Sequence, residues 1–459
     1  MEGKCASGFP SWVRRGGCAT RKMVPFLNGA DGVVRNGAKP PYRCSCSAPF
    51  QSVRCANIYK VASRHWSTTP PFAEKHANGT PPNLGGEFFA AFFKNVQTPA
   101  PSPLFRAFLY FVALSFLVTT FFLARRALLV LLLSAKILGY GGALDAWKGP
   151  VARETVIHAG IPMDIYRGGN PVSPILIVHG VNPTGKDNLD LVRISQGLAQ
   201  AGYEVYVPDL ADMKKQHLRP EEAGSVKTIF QFIGRNAAIA CFSYGCGPAL
   251  IAATSPEIRD KVRYAVDFGG YYDIREMLEY VVTGPETPAA YSKWIYLAAN
   301  SDLAGDENGQ EQIKKIAIAR AAGLPKDLVL EENLSPGART LLQIFTATNR
   351  EEFKAHIDAA PESLQRRLDA LSPSRYVRDL RAPLVLIHAA YDPSIPAQQS
   401  IELAGAARAN GFEPRLTLLQ MYGHTYPTLP TLTIGSLMGF YIPETFRFVD
   451  VVNHVVASM

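Results

Sequence analysis

From Val151 onward, short runs rich in β-branched and apolar residues alternate with helical stretches. The runs are Ile175–His179, Val205–Val207, Ala238–Phe242, Arg263–Phe268, Leu384–His388 and Arg415–Leu419. A strand with one wet face alternates polar and apolar residues, whereas most of these runs do not, so a sheet covered on both faces is expected. Helical segments such as Leu189–Gln200, apolar along one side, lie between them. This alternation over residues 151–459 predicts an α/β domain, a mostly parallel sheet with helices on both faces.

Open sheets of this kind place their ligands at the carboxyl ends of the strands. Three such ends carry reactive side chains. Ala238–Phe242 runs into Ser243-Tyr-Gly-Cys-Gly-Pro, a serine at a strand-to-helix turn. A turn that sharp needs small neighbours, so that backbones approach closely. Gly245 meets the requirement on the far side, and Cys241 stands where glycine is usual. Leu384–His388 leads to Asp392 and a proline-bounded turn, and Arg415–Leu419 leads to Gly423-His424. The chain order Ser243, Asp392, His424 suits a nucleophile, an acid and a base on such a sheet.

With Ile-Val-His179-Gly180 after the third strand, these elements make residues 155–457 resemble the α/β-hydrolase superfamily. The resemblance implies that Ser243 attacks a carbonyl carbon, His424 takes its proton and Asp392 orients the imidazole. It further implies oxyanion donors at the backbone N–H groups of Val181 and Tyr244, and no metal or organic cofactor. Asp267, ending the Arg263–Phe268 strand, is the rival acid. His179 is expected to shape the oxyanion loop. His388, His454 and the pair Cys241 and Cys246 are read as structural.

Residues 274–372, between the sixth and seventh strands, read as a helical lid. Its helices are expected at 274–282, 289–299, 310–322, 338–345 and 351–371, the last broken at Pro361. Tyr280, Tyr291, Trp294, Tyr296 and Phe345 serve there as lid core or as the lining of an apolar acyl pocket. Thr425–Pro443 carries no charge at all. Dipping into a bilayer or packing beneath the lid would account for it.

The run Ala107–Ala124 has no charge and is bounded by Arg106, Arg125 and Arg126. Its 18 residues extend about 27 Å as a helix, close to the thickness of a bilayer's hydrocarbon core. We read residues 104–144 as a membrane segment, with the span at 107–124. A second apolar run at 127–144 reads best as an interfacial stretch, the alternatives being a hairpin or an extension of the first helix. Basic residues after the span weakly favour a cytoplasmic domain.

The formal charge of +8 belongs to one end. Residues 1–65 hold 11 Lys and Arg against Glu2 and Asp31, while the rest of the chain is nearly neutral. Residues 1–100 lack helical or strand periodicity and read as a low-order tail, a targeting segment or an over-extended start. No recognised module surrounds these charges, so nucleic acid is not an expected partner, and no cysteine spacing fits zinc. The expected function is a membrane-anchored serine hydrolase acting on a carboxylic ester, lipid included. Acyl transfer on the same triad and a non-catalytic membrane scaffold are the alternatives. No oligomeric state is assigned.

Overall fold

The structure, a computed structural model, describes residues 102–284, 288–324 and 333–458. The expectations for residues 1–100 lie outside the described residues. Eight strands form one sheet: β1 (Ala152–His158), β2 (Ile161–Arg167), β3 (Ser173–Val178), β4 (Tyr203–Pro208), β5 (Ala237–Phe242), β6 (Val262–Phe268), β7 (Leu384–Ala389) and β8 (Arg415–Leu419). Their order across the sheet is β1-β2-β4-β3-β5-β6-β7-β8. β2 pairs antiparallel with β1 and with β4, and every later pairing is parallel.

β1 and β2 are not among the runs read from the sequence. β1 is an edge strand, exposed at most positions and charged at Arg153 and Glu154, so it lacks the apolar run that marks a central strand. The central strands divide their side chains between two cores. Along β3, Leu176 and Val178 enter one core, and Ile175 and Ile177 enter the other. This two-residue period is what covering both faces demands.

The described helices are α1 (Pro103–Ile137), α2 (Gly142–Lys148), α3 (Leu189–Ala201), α4 (Glu222–Ile233), α5 (Cys246–Ala253), then a set between β6 and β7, α12 (Gln398–Ala409) and α13 (Ile442–Ala457), with shorter turns elsewhere. The set between the strands is α6 (Ile274–Thr283), α7 (Pro288–Ala299), α8 (Glu307–Ala321), α9 (Pro336–Thr346), α10 (Arg350–Asp358) and α11 (Glu362–Leu371). α11 starts directly after Pro361, which has no N–H to continue the preceding helix. α4, α5 and α12 contribute to one core, and α3 and α13 to the other.

α1 is a single helix of 35 residues, and its most apolar 18-residue window has a mean hydropathy of 2.2 with no residue buried. The second apolar run therefore extends the first helix through Arg125 and Arg126, where the sequence reading preferred an interfacial stretch. Packing decides this. Val130 and Leu133 are buried in the same core as α3 and α13. Gly197 of α3 lies so close that an added Cβ would meet Leu133 Cδ1 at 2.8 Å.

Polar contacts lock the helix end. The ammonium of Lys136, 3% exposed, donates to Asp145 and, at 2.9 Å, to Gln200 Oε1. Gln200 Nε2 in turn donates to Asp145 Oδ1 at 2.8 Å and to Gly149 O at 2.9 Å. The Arg193 guanidinium donates to the free carbonyl of Ile137 at 3.1 Å. A helix with that many ties is part of the domain. Asp145→Ala leaves the buried ammonium with Gln200 alone. It is expected to lower stability by about 1–3 kcal/mol, read as a lower Tm of the detergent-solubilised protein.

Candidate active site

β5 ends in a conformation few side chains adopt. Ser243 has φ of +52°, between an extended Phe242 and the 3-10 turn Ser243–Gly245 that opens α5. Left-handed backbone at a serine costs about 1–3 kcal/mol and persists only where surrounding packing dictates it. Two glycines allow that packing. A Cβ at Gly245 would sit 2.2 Å from His179 O, and one at Gly180 would sit 2.9 Å from both Phe242 O and Ser243 Cβ. The His179-Gly180 loop is thereby pressed against the serine.

His179 is held neutral. Its Nε2 accepts the Leu210 N–H at 3.0 Å, so Nδ1 carries the proton and donates to Gly180 O at 2.7 Å. Burial lowers its pKa and reinforces this state. The side chain shapes the loop, in keeping with the sequence expectation. Val181 follows on the loop and lines the cavity beside Ser243. Tyr244 lies in the turn just after the serine, where N–H groups lack partners within the helix.

Three strand ends bring the other predicted residues together. The Ser243 hydroxyl lies 2.8 Å from His424 Nε2, and His424 Nδ1 donates to Asp392 Oδ2 at 2.5 Å. Asp392, 5% exposed, accepts through Oδ1 from the Ser394 and Ile395 N–H groups at 2.8 and 2.9 Å. Burial pushes its carboxyl up, but hydrogen bonds from His388 and His424 outweigh that and hold it at about 2. Asp392 is thus a fixed anion behind an imidazole whose other nitrogen faces a hydroxyl.

Sequence reasoning treated His388 as structural and missed its contact. Its Nε2 donates to Ile395 O at 2.9 Å and lies 3.5 Å from Asp392 Oδ2, with Nδ1 at 2.6 Å from Ser400 Oγ. The signal was present: His388 stands four residues before Asp392, where the turn folds back on its strand. The rival acid Asp267 is fully buried but faces elsewhere. Its Oδ1 accepts from Gly270 N–H at 2.8 Å, and among the described residues Oδ2 has no partner. Burial pushes this carboxyl up to about 6. His454 sits on α13 beside Arg415.

Cys241 and Cys246 correct the expectation of two separate packing residues, because they form a disulfide with their Cα atoms 4.8 Å apart. The turn around Ser243 folds positions five residues apart into bonding range. The bridge spans the two ends of that turn, both cysteines being buried.

A cavity of about 270 Å³ opens at Ser243 and His424. Its walls come from the 180–191 segment and the His424 loop, with Asn182, Leu191 and Tyr426 among them. Among the described side chains, the aromatic residues of the helical insert do not line it. Tyr296 and Phe345 are core. Trp294 lies beneath Arg320, and the hydroxyl of Tyr280 donates to Asp392 O at 3.1 Å. Tyr291 lies outside the described side chains. The ring of Tyr244 packs against Tyr271 and Tyr296, with centroids 5.8 and 5.9 Å apart. The uncharged segment after His424 is not packed beneath the insert; Leu432, Ile434 and Met438 are exposed.

No protein-family model matches the chain, and no curated protein matches it. Among solved structures it is similar to a puromycin-hydrolyzing peptidase of Mycobacterium tuberculosis, at 14% identity and a TM-score of 0.39, covering 67% of this chain and 38% of that one. It is also similar to an esterase/lipase from an uncultured bacterium, at 14% identity and a TM-score of 0.37, covering 69% and 89%. A third is a meta-cleavage product hydrolase from Pseudomonas fluorescens, at 18% identity and a TM-score of 0.35, covering 66% and 98%. The chain spans about two-fifths of the length of that peptidase and of an acylaminoacyl peptidase of Pyrococcus horikoshii to which it is also similar. Likenesses this distant carry no argument about activity. The strand order, with Ser243 after β5, Asp392 after β7 and His424 after β8, is that of the α/β-hydrolase fold.

Proposed function

We propose that this chain is a membrane-anchored serine hydrolase that cleaves a carboxylic ester, lipid-like in character, through an acyl-enzyme on Ser243. One observation carries the reading: Ser243 Oγ at 2.8 Å from His424 Nε2, with His424 Nδ1 on the Asp392 carboxylate. His424 takes the hydroxyl proton as Ser243 attacks the carbonyl carbon. The Asp392 anion stabilises the imidazolium so formed. The N–H groups of Tyr244 and Val181 receive the oxyanion, and His424 passes its proton to the departing alcohol. Water then attacks the acyl-enzyme with His424 as base. A non-catalytic scaffold would tolerate a long serine–histidine separation and a closed pocket. The short contact and the open cavity favour the enzyme.

The anchor reading rests on α1, whose exposed apolar length suits a bilayer. The uncharged segment after His424, exposed at Leu432, Ile434 and Met438, supports delivery of substrate from the membrane surface. Arg125 and Arg126 after the span favour a cytoplasmic domain. Disulfides favour oxidising compartments, and the buried Cys241–Cys246 bridge argues for the opposite side; our reading follows the arginines, and protease protection separates the two. Trypsin applied from the cytoplasmic side of sealed vesicles is expected to digest the domain, and trypsin applied from the opposite side to spare it.

A fluorophosphonate probe is expected to label the wild-type protein and to leave Ser243→Ala unlabelled. Asp392→Asn is expected to lower kcat by about 10⁴-fold, with Asp267→Asn retaining most of the activity. A collapse with Asp267→Asn and survival of Asp392→Asn would exchange the two roles. Asp267 also sets a pH dependence of stability. Its folded pKa of about 6 lies above the unfolded value, so its folded form binds the extra proton between roughly pH 4 and 6. Stability therefore falls as pH rises through that window. Asp267→Asn should flatten the fall by about 2–3 kcal/mol, checked by urea unfolding at pH 4.5 and 7.5.

A further inference from the structure

A second cavity, about 90 Å³, lies against the sheet under α1, α3 and α13, and every side chain lining it is apolar. It shares two residues with the cavity at the serine, Ile194 and Phe242. Two stripes of side chains run from one to the other. On α3, Leu191 lines the serine cavity, Ile194 lines both and Leu198 lines the second. That spacing follows one helix face and covers about 10 Å. Along β5 and the turn after it, Ala240 lines the second, Phe242 both and Ser243 the first. The far wall includes Leu133 and Ile137 of α1 and Val452 of α13.

We infer that this second cavity is the acyl-chain subsite of the enzyme and accepts a saturated hydrocarbon chain of the substrate. The inference rests on the ester-hydrolase reading above. The direction follows from proton transfer. The departing alcohol must lie at His424 Nε2 to be protonated, so it occupies the His424–Tyr426 side of the serine cavity. The acyl chain then extends the other way, past Phe242 and Ile194. A cavity without polar groups excludes water and rewards an apolar occupant. Because α1 supplies part of the wall, the helix that suits a bilayer also contacts the chain being cleaved.

The test uses the full-length protein in detergent micelles with p-nitrophenyl acetate and p-nitrophenyl decanoate, read as the ratio of their kcat/KM values. A ratio does not depend on the folded fraction. Wild type is expected to favour decanoate at least tenfold. Val452→Phe fills the cavity from α13 and Ile137→Trp fills it from α1. Each is expected to reduce the decanoate-to-acetate ratio at least tenfold. Val452→Ala, which enlarges the space and does not crowd it, is expected to raise the decanoate-to-acetate ratio at least threefold. Ratios within twofold of wild type in all three variants, with Ser243 still labelled by fluorophosphonate, would overturn the subsite and leave the hydrolase reading intact. Folded wild-type protein that takes no label would overturn both.

Discussion

The site depends on a serine held in left-handed backbone at the end of the middle strand of the sheet. At φ of +52°, Ser243 turns its hydroxyl out of the sheet while β5 passes directly into α5. Nothing local favours that conformation. It is imposed by Gly180 and Gly245, which let the His179 loop approach until no Cβ would fit. The same contact sets Val181 beside the serine, so the strained residue and the loop that would receive its oxyanion are positioned by one close approach. Packing and chemistry here have a common cause.

The parts of the molecule legible in the sequence are those that follow from burial. Central strands announce themselves as apolar, β-branched runs because both faces are covered, and the order Ser243, Asp392, His424 is visible because Ser243 and Asp392 follow such runs and His424 follows the edge strand β8. β1 escaped notice because its side chains face water. The Cys241–Cys246 bridge escaped notice because its proximity exists only once the turn has folded. His388 was read as a strand residue; its spacing of four from Asp392 stands in the sequence, but the contact itself forms only once the Pro393 turn closes.

The helical insert is placed differently from what its aromatic content suggested. Tyr296 stacks on Tyr244 beside the nucleophile, and Tyr280 holds the carbonyl of Asp392. One ring packs on a side chain next to the nucleophile and the other bonds the backbone of the acid. The cavity itself opens toward α3 and the His424 loop, on the side of the sheet that α1 covers. Aromatic residues at helical spacing served as core here, and the cavity at the serine is walled by other elements, with Asn182, Leu191, Phe242 and Tyr426 among its lining.

The docking of α1 moves the edge of the α/β domain. Composition alone puts that edge near Val151, after the apolar runs end. Yet Val130, Leu133 and Lys136 are as deeply buried as residues of the sheet, and the Lys136 ammonium has its partners on the domain. A shortened protein that begins at residue 151 would bare one side of the sheet core and leave the Gln200 side chain without the three groups it bonds, Lys136, Asp145 and Gly149. One that begins near Leu128 would keep the whole of that core and lose only exposed helix. The boundary of the folded unit thus falls inside a helix, at the point where its side chains pass from outward-facing to covered.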